Sequence, residues 1–208
     1  MKELKITDFV NQLASDQPTP GGGAAAGVTA SLGIGAILMA MIFSKTKKMT
    51  EEEQEFLLGK IDQYQQSKEV FIGIIDRDAT EFEPLSKAYR MPKDSEEEQA
   101  KRHQAIQEGL EIASQPPIDL VQEVDKILVD FDRVIPLIKK MIISDVGVGL
   151  QMLRSALNAS SLNLYINGGQ LSDEGKQKEY YELADQKVKE LSEKLDSYYE
   201  EVKKVLAP

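Results

Sequence analysis

The chain contains no cysteine and no tryptophan, has a single histidine, and is only 6% aromatic. Without cysteine there are no disulfides, which is compatible with the cytoplasm, where the protein is expected. One histidine and no thiol leave a poor ligand set for zinc, so metal-free chemistry is expected. Positive charge is also in deficit. The 25 basic against 35 acidic side chains give a net charge of −10, which argues against nucleic acid as a partner. Strand-type alternation is nearly missing as well. What is present is 208 residues, 41% hydrophobic and 29% charged, enough for one domain with a substantial core.

Charge is locally absent too. From Gly21 to Ser44 no side chain is charged, and Lys45, Lys47 and Lys48 follow. That length and flank pass a simple test for a membrane span. The first half, however, is Gly, Ala, Thr and Ser, which transfer weakly into lipid, and Asp8 and Asp16 precede it, unlike a signal peptide. The expected role is therefore the central helix of a bundle, hydrophobic all round, with no membrane. Gly23, Gly27, Ser31 and Gly35 recur every fourth residue and give one face on which another backbone can lie very close.

The remaining pattern is helical. A short helix is expected over Asp8 to Leu13. Thr50 with Glu53, and Ser95 with Glu98, are capping-box pairs. The first opens a helix to about Ala88; the second opens one expected to stop before Pro116-Pro117. A further helix carries Leu120 to Phe131 and is bent or broken at Pro136. Ser144 or Asp145 is expected to cap the next, which Gly168-Gly169 ends near Asn167. From Asp173 to Leu206 a four–three apolar spacing marks a long amphipathic helix, suited either to its own bundle or to a dimer contact. The expected fold is all-α: a single helical bundle of about six main helices, with residues 1–208 as one domain.

Three features stand out against that frame. Pro18-Thr19-Pro20-Gly21-Gly22-Gly23-Ala24-Ala25-Ala26 is a stiff approach into three glycines and a small-residue helix. It serves either as a tight turn or as a helix start whose bare amides meet an anionic or carbonyl-rich ligand. Asp78 projects from an apolar stripe of Phe71, Ile74, Ile75 and Phe82, so its carboxylate needs a cation, donors or a raised pKa. Asp145, Gly149, Met152, Ala156, Ala159, Asn163 and Asn167 share one side of a later helix, small in the middle and polar at both ends. That side is expected to approach the Gly23 helix and leave a crevice edged by Asp78 and Asp145.

Together these segments resemble the cyclodeaminase/cyclohydrolase family of folate enzymes. The likeness rests on Pro18 to Ala26, on Asp76-Arg77-Asp78-Ala79-Thr80-Glu81-Phe82 with Ala88-Tyr89-Arg90-Met91-Pro92-Lys93, and on Ser144-Asp145-Val146-Gly147-Val148-Gly149 with Asn163-Leu164-Tyr165-Ile166-Asn167. The resemblance implies an all-helical homodimer or higher assembly acting on tetrahydrofolate one-carbon derivatives, with no cofactor beyond the folate substrate and no metal. The reaction is either methenyltetrahydrofolate cyclohydrolysis or formiminotetrahydrofolate cyclodeamination. It further implies Asp78 and Asp145 as acid/base or cation-stabilising groups. With Pro20 among the substrate-binding residues, Gly21, Gly22 and Gly23 would offer backbone contacts to the pterin or to a tail carboxylate, Asn163 and Asn167 would bond the pterin edge or brace the loop, and Arg90 and Lys93 would meet the tail carboxylates. Ala24 departs from the family, which often has Ser there, and Lys139 to Ile143 replaces its Gly-Asn. A non-catalytic assembly protein that keeps the family fold is the alternative.

Overall fold

A computed structural model describes residues 1–207. The helices are α1 (Ile6–Leu13), α2 (Gly22–Ser44), α3 (Glu51–Tyr89), α4 (Glu96–Leu128), the one-turn α5 (Phe131–Val134), α6 (Ile143–Gly168), α7 (Glu174–Glu182) and α8 (Val188–Leu206). Two short 3₁₀ turns join α5 to α6, and a π-helical turn over Leu183–Lys187 joins α7 to α8. Among the described residues there is no strand, so the all-α expectation holds.

Both capping boxes form. Thr50 and Ser95 each accept from the backbone three residues on, while Glu53 and Glu98 reach back to the cap amides. Asp173 caps α7 by accepting from Gly175 and Lys176 at 2.8 and 3.1 Å. Three sequence expectations need correction. Helix α4 continues through buried Pro116 and Pro117 to Leu128 instead of ending before them. Packing of its following turns, with Leu120, Val121, Val124 and Ile127 fully buried, outweighs the backbone bonds that the two prolines forgo. Helix α6 starts at Ile143, so Ser144 and Asp145 lie within its first turn, not at its cap. The terminal helix is also not regular, since the π turn at Leu183–Lys187 interrupts its heptad spacing.

The main core is shared by α2, α3, α4, α6 and α8. Helices α2 and α6 lie antiparallel. Lys139, just before α6, donates its amide to Ser44 Oγ at 2.9 Å and its ammonium to the Phe43 carbonyl, while Gly149 lies against Gly33 and Ile37. The two small-residue faces therefore meet as expected, but at mid-helix they close on each other and leave no crevice there. A Cβ on Gly149 would stand 2.5 Å from the Gly33 carbonyl oxygen, and one on Gly33 3.0 Å from that of Gly149. Gly149→Ala is expected to destabilise the fold by about 2–3 kcal/mol, since the obstacle is backbone and cannot rotate away. Urea unfolding with an unchanged slope checks this.

Helix α3 also fixes the far end of α4. Lys60 Nζ donates to the Val129 carbonyl at 2.6 Å, Gln63 to Lys126 at 3.0 Å and Tyr64 Oη to Ile127 at 2.7 Å. Three side chains on one face of α3 thus satisfy carbonyls that the helix end leaves open. This anchors the first half of α3, and Asp78 follows about four turns beyond Tyr64 on the same helix.

Candidate functional site

Helix α2 begins with Gly21 at its N-cap in extended conformation, and no side chain there can cap the first turn. The cap comes from another helix. Asp78 of α3 accepts a hydrogen bond from the Ala24 amide through Oδ2 at 2.9 Å. The carboxylate stands at the positive end of the α2 dipole, where a negative group is favoured. Only glycine at 23 permits this approach, because a Cβ would lie 1.9 Å from Asp78 Oδ1. Gly22 faces open space, and Gly21 is nearly as free. Of the three glycines, one is explained by this contact. Among the described residues, no hydrogen bond is made to the Gly22 or Gly23 amides, which leaves two bare donors beside an acid.

Asp78 has no ion-pair partner among the described residues. Arg77, next to it in sequence, points elsewhere: its guanidinium holds Glu81 through Nε at 2.6 Å and Asp119 through Nη1 at 2.6 Å. Asp76 is paired with the N-terminal ammonium and Lys2. Burial pushes the Asp78 carboxyl above its ordinary range, and the nearby charge of Glu81 adds to this; the Ala24 amide opposes it only in part. Of the three provisions expected for this carboxylate, it has a donor and a raised pKa, and among the described residues no cation.

The antiparallel register places Asn163 of α6 level with Gly21 and Gly22. Asn163 is half-buried, and among the described residues its side chain makes no hydrogen bond. One turn on, Asn167 donates to Ser114 Oγ of α4 at 3.1 Å, and the Ser114 hydroxyl donates in turn to the Leu110 carbonyl at 2.7 Å. Asn167 is thus held as a brace, whereas Asn163 is free to meet a ligand. Pro20 is buried at the mouth of the glycine loop, joined to Thr19 by a cis peptide. Arg90 and Lys93 are exposed beyond the end of α3, with no ion-pair partner among the described residues. Arg90 lies twelve residues past Asp78, about 18 Å along the helix.

Asp145 does not join this group within one chain. It stands one turn before Gly149, level with about Met39 of α2, while Asp78 is level with Gly23. The two carboxylates are therefore about 24 Å apart along the helix pair. The expected crevice edged by both acids is not formed by a single chain, because the antiparallel packing sends the first turn of α6 to the far end of α2. Sequence reading did not identify Glu81 or Ser114, which tune and brace the site. Glu81 was visible one turn after Asp78 on the same helix, but Ser114 carried no local signal.

Once assembled, this geometry can be set beside known proteins. A family model described as formiminotransferase-cyclodeaminase matches residues 5–186. A protein named methenyltetrahydrofolate cyclohydrolase from Methylorubrum extorquens is 29% identical over 187 residues, covering 89% of this chain and 86% of that protein. The formimidoyltransferase-cyclodeaminase of Gallus gallus is 28% identical over 166 residues, and the match spans 31% of that longer protein. The crystal structure of a formiminotetrahydrofolate cyclodeaminase from Thermotoga maritima superposes with a TM-score of 0.80 over 99% of this chain and 96% of that one, at 23% identity. At that identity the likeness establishes the fold.

Proposed function

This chain belongs to the formiminotransferase-cyclodeaminase family, and from that premise we propose that it is a folate one-carbon enzyme. It opens or closes the imidazoline ring of 5,10-methenyltetrahydrofolate by metal-free acid/base catalysis centred on Asp78. The single observation that carries this reading is the cation-free acid of raised pKa beside the two bare amides of Gly22 and Gly23. The methenyl compound is a cation, so an acid site without its own positive partner is complementary to it. The bare amides and Asn163 suit the carbonyl and ring nitrogens of a pterin.

In the hydrolytic direction, water adds to the methenyl carbon and gives its proton to the Asp78 carboxylate. The bond from that carbon to N5 then breaks as N5 takes the proton held by Asp78 and the remaining hydroxyl proton leaves to solvent, so the formyl group stays on N10 and one proton is released overall. In the deaminating direction, N10 attacks the protonated formimino carbon and gives its proton to Asp78; Asp78 returns that proton to the amino nitrogen, whose bond to carbon breaks to release ammonia and leave the methenyl cation. Both routes pass through one tetrahedral carbon between two nitrogens, which a single group able to accept and return a proton can serve. Of the proteins of matching length, one is named a cyclohydrolase and another a formiminotetrahydrofolate cyclodeaminase, so both directions belong to the reading. Arg90 and Lys93 are assigned to the tail carboxylates, Asn167 to bracing, and Asp145 to a role that requires a second subunit. The homodimer and the cytoplasmic setting belong to the same reading.

The test is direct. Purified protein is expected to accelerate the loss of near-ultraviolet absorbance of methenyltetrahydrofolate, or to form that absorbance from the formimino compound with release of ammonia. If neither reaction is accelerated and no tetrahydrofolate derivative raises the melting temperature, the non-catalytic assembly reading replaces this one.

A further inference from the structure

Between the loop ahead of α2 and the second half of α3 lies a pocket of about 300 Å³ that the chemistry above does not use. Pro18 and Thr19, just before the glycines, form one wall, and Ala79, Phe82, Glu83 and Ser86 form the other. Those four positions of α3 are spaced by three, one and three, which is one face of a helix. Arg90 continues the same face one turn beyond Ser86, and Asp78 stands at its edge one turn before Phe82. The volume is at the lower end of ordinary small-molecule sites.

The walls suit a flat apolar group. Phe82 is half-buried and packs against the cluster of Leu85, Leu110, Leu171 and Tyr180, so its ring is held in place. Pro18 opposite is stiff. An aromatic group between a fixed ring and a proline buries apolar surface with little further ordering. Most polar groups of the pocket are already engaged. The Thr80 hydroxyl turns back to its own helix, 3.2 Å from the Asp76 carbonyl, and exposed Glu83 pairs with Lys87 at 2.7 Å. That leaves the hydroxyls of Thr19 and Ser86, both half-buried and with no hydrogen bond among the described residues, open to a ligand.

The order of groups along α3 matches the order of parts in a folate. In the methenyl compound, N10 of the reacting ring carries a benzoyl ring directly, and an amide and a glutamyl tail follow. Along the helix Asp78 is followed by Phe82, Ser86 and Arg90, each four residues and about 6 Å beyond the last. We propose that this pocket receives the aminobenzoyl ring of the substrate, gripped by Phe82 against Pro18, with Ser86 bonding the amide beyond it and Arg90 the nearer carboxylate. The proposal rests on the folate reading above and adds the residues that select the aromatic half of the molecule. The placement is consistent with the chemistry, because the reacting carbon is one bond from N10 and Asp78 is one turn from Phe82.

The probe is 4-aminobenzoylglutamate, which has the ring and the tail but no reacting carbon. In a two-dimensional NMR titration it is expected to shift the amide resonances of Thr19, Ala79, Phe82 and Ser86. Ser86→Phe, which fills the pocket, is expected to weaken that binding at least about tenfold. With methenyltetrahydrofolate the same variant is expected to raise KM at least about tenfold, and by more than it lowers kcat, the mark of lost substrate grip. Phe82→Leu keeps an apolar side chain on the Leu85 cluster and is expected to raise KM in the same way. Absence of binding at about 10 mM probe, shifts confined to other residues, or a folded Ser86→Phe enzyme with unaltered KM would each overturn the assignment. Turnover without probe binding rejects the pocket and keeps the folate reaction. Probe binding without turnover rejects the reaction and keeps the pocket.

Discussion

Asp78→Asn is expected to lower turnover at least about a hundredfold while leaving the fold no less stable at neutral pH. The first effect follows from removing the group assigned to accept and return the proton. The second follows from what Asp78 costs. Its carboxyl is raised by burial and by Glu81, so the ionised form is disfavoured in the folded chain. The penalty is absent below the ordinary carboxylate range of about 4, and it grows as the pH rises through the raised pKa. Asparagine keeps an oxygen for the Ala24 amide and carries no charge. The melting temperature of the variant relative to wild type is therefore expected to climb from low pH to neutral and then level off. A structural cap gives the opposite signature, in which the variant is less stable at neutral pH and turnover is nearly unchanged. Thermal melts across the pH range, together with the pH–rate profile, separate the two.

Gly23→Ala carries the second large effect. A Cβ there would overlap Asp78 Oδ1 at 1.9 Å, so the carboxylate must swing away or α2 must shift. Either movement breaks the hydrogen bond to Ala24. The expected cost is about 1 kcal/mol for the lost cap and about 1–3 kcal/mol for the forced displacement. Turnover is expected to fall as far as in Asp78→Asn, since the acid no longer stands beside the bare amides. Gly22→Ala is the control: its Cβ meets open space, and at the first helical position alanine is expected to stabilise by about 0.4–1 kcal/mol. If the two variants lose stability equally, the contact between Gly23 and Asp78 does not hold the site together. Denaturant midpoints and initial rates read both effects.

The sequence by itself determined the helices, because their signals are local. Thr50 with Glu53, Ser95 with Glu98 and Asp173 mark starts through bonds that span two or three residues. The apolar repeat in α3 and the uncharged run in α2 mark their faces without reference to the rest of the chain. Asp78 was legible as an anomaly for the same reason, since its neighbours one turn away are apolar. What satisfies it was not, because Ala24 lies 54 positions away and no spacing rule spans that distance.

Tertiary structure alone decided three further matters. It carried α4 through Pro116 and Pro117, where packing of the next turns overrides a local preference. It closed Gly33 onto Gly149 where a crevice was expected. It set α2 and α6 antiparallel, sending Asp145 away from Asp78 and keeping Asn163 near. The physical reason is common to all three. Local pattern shows which side of a helix is apolar or polar, but the direction and register in which two such sides meet depend on close packing of atoms far apart in the chain.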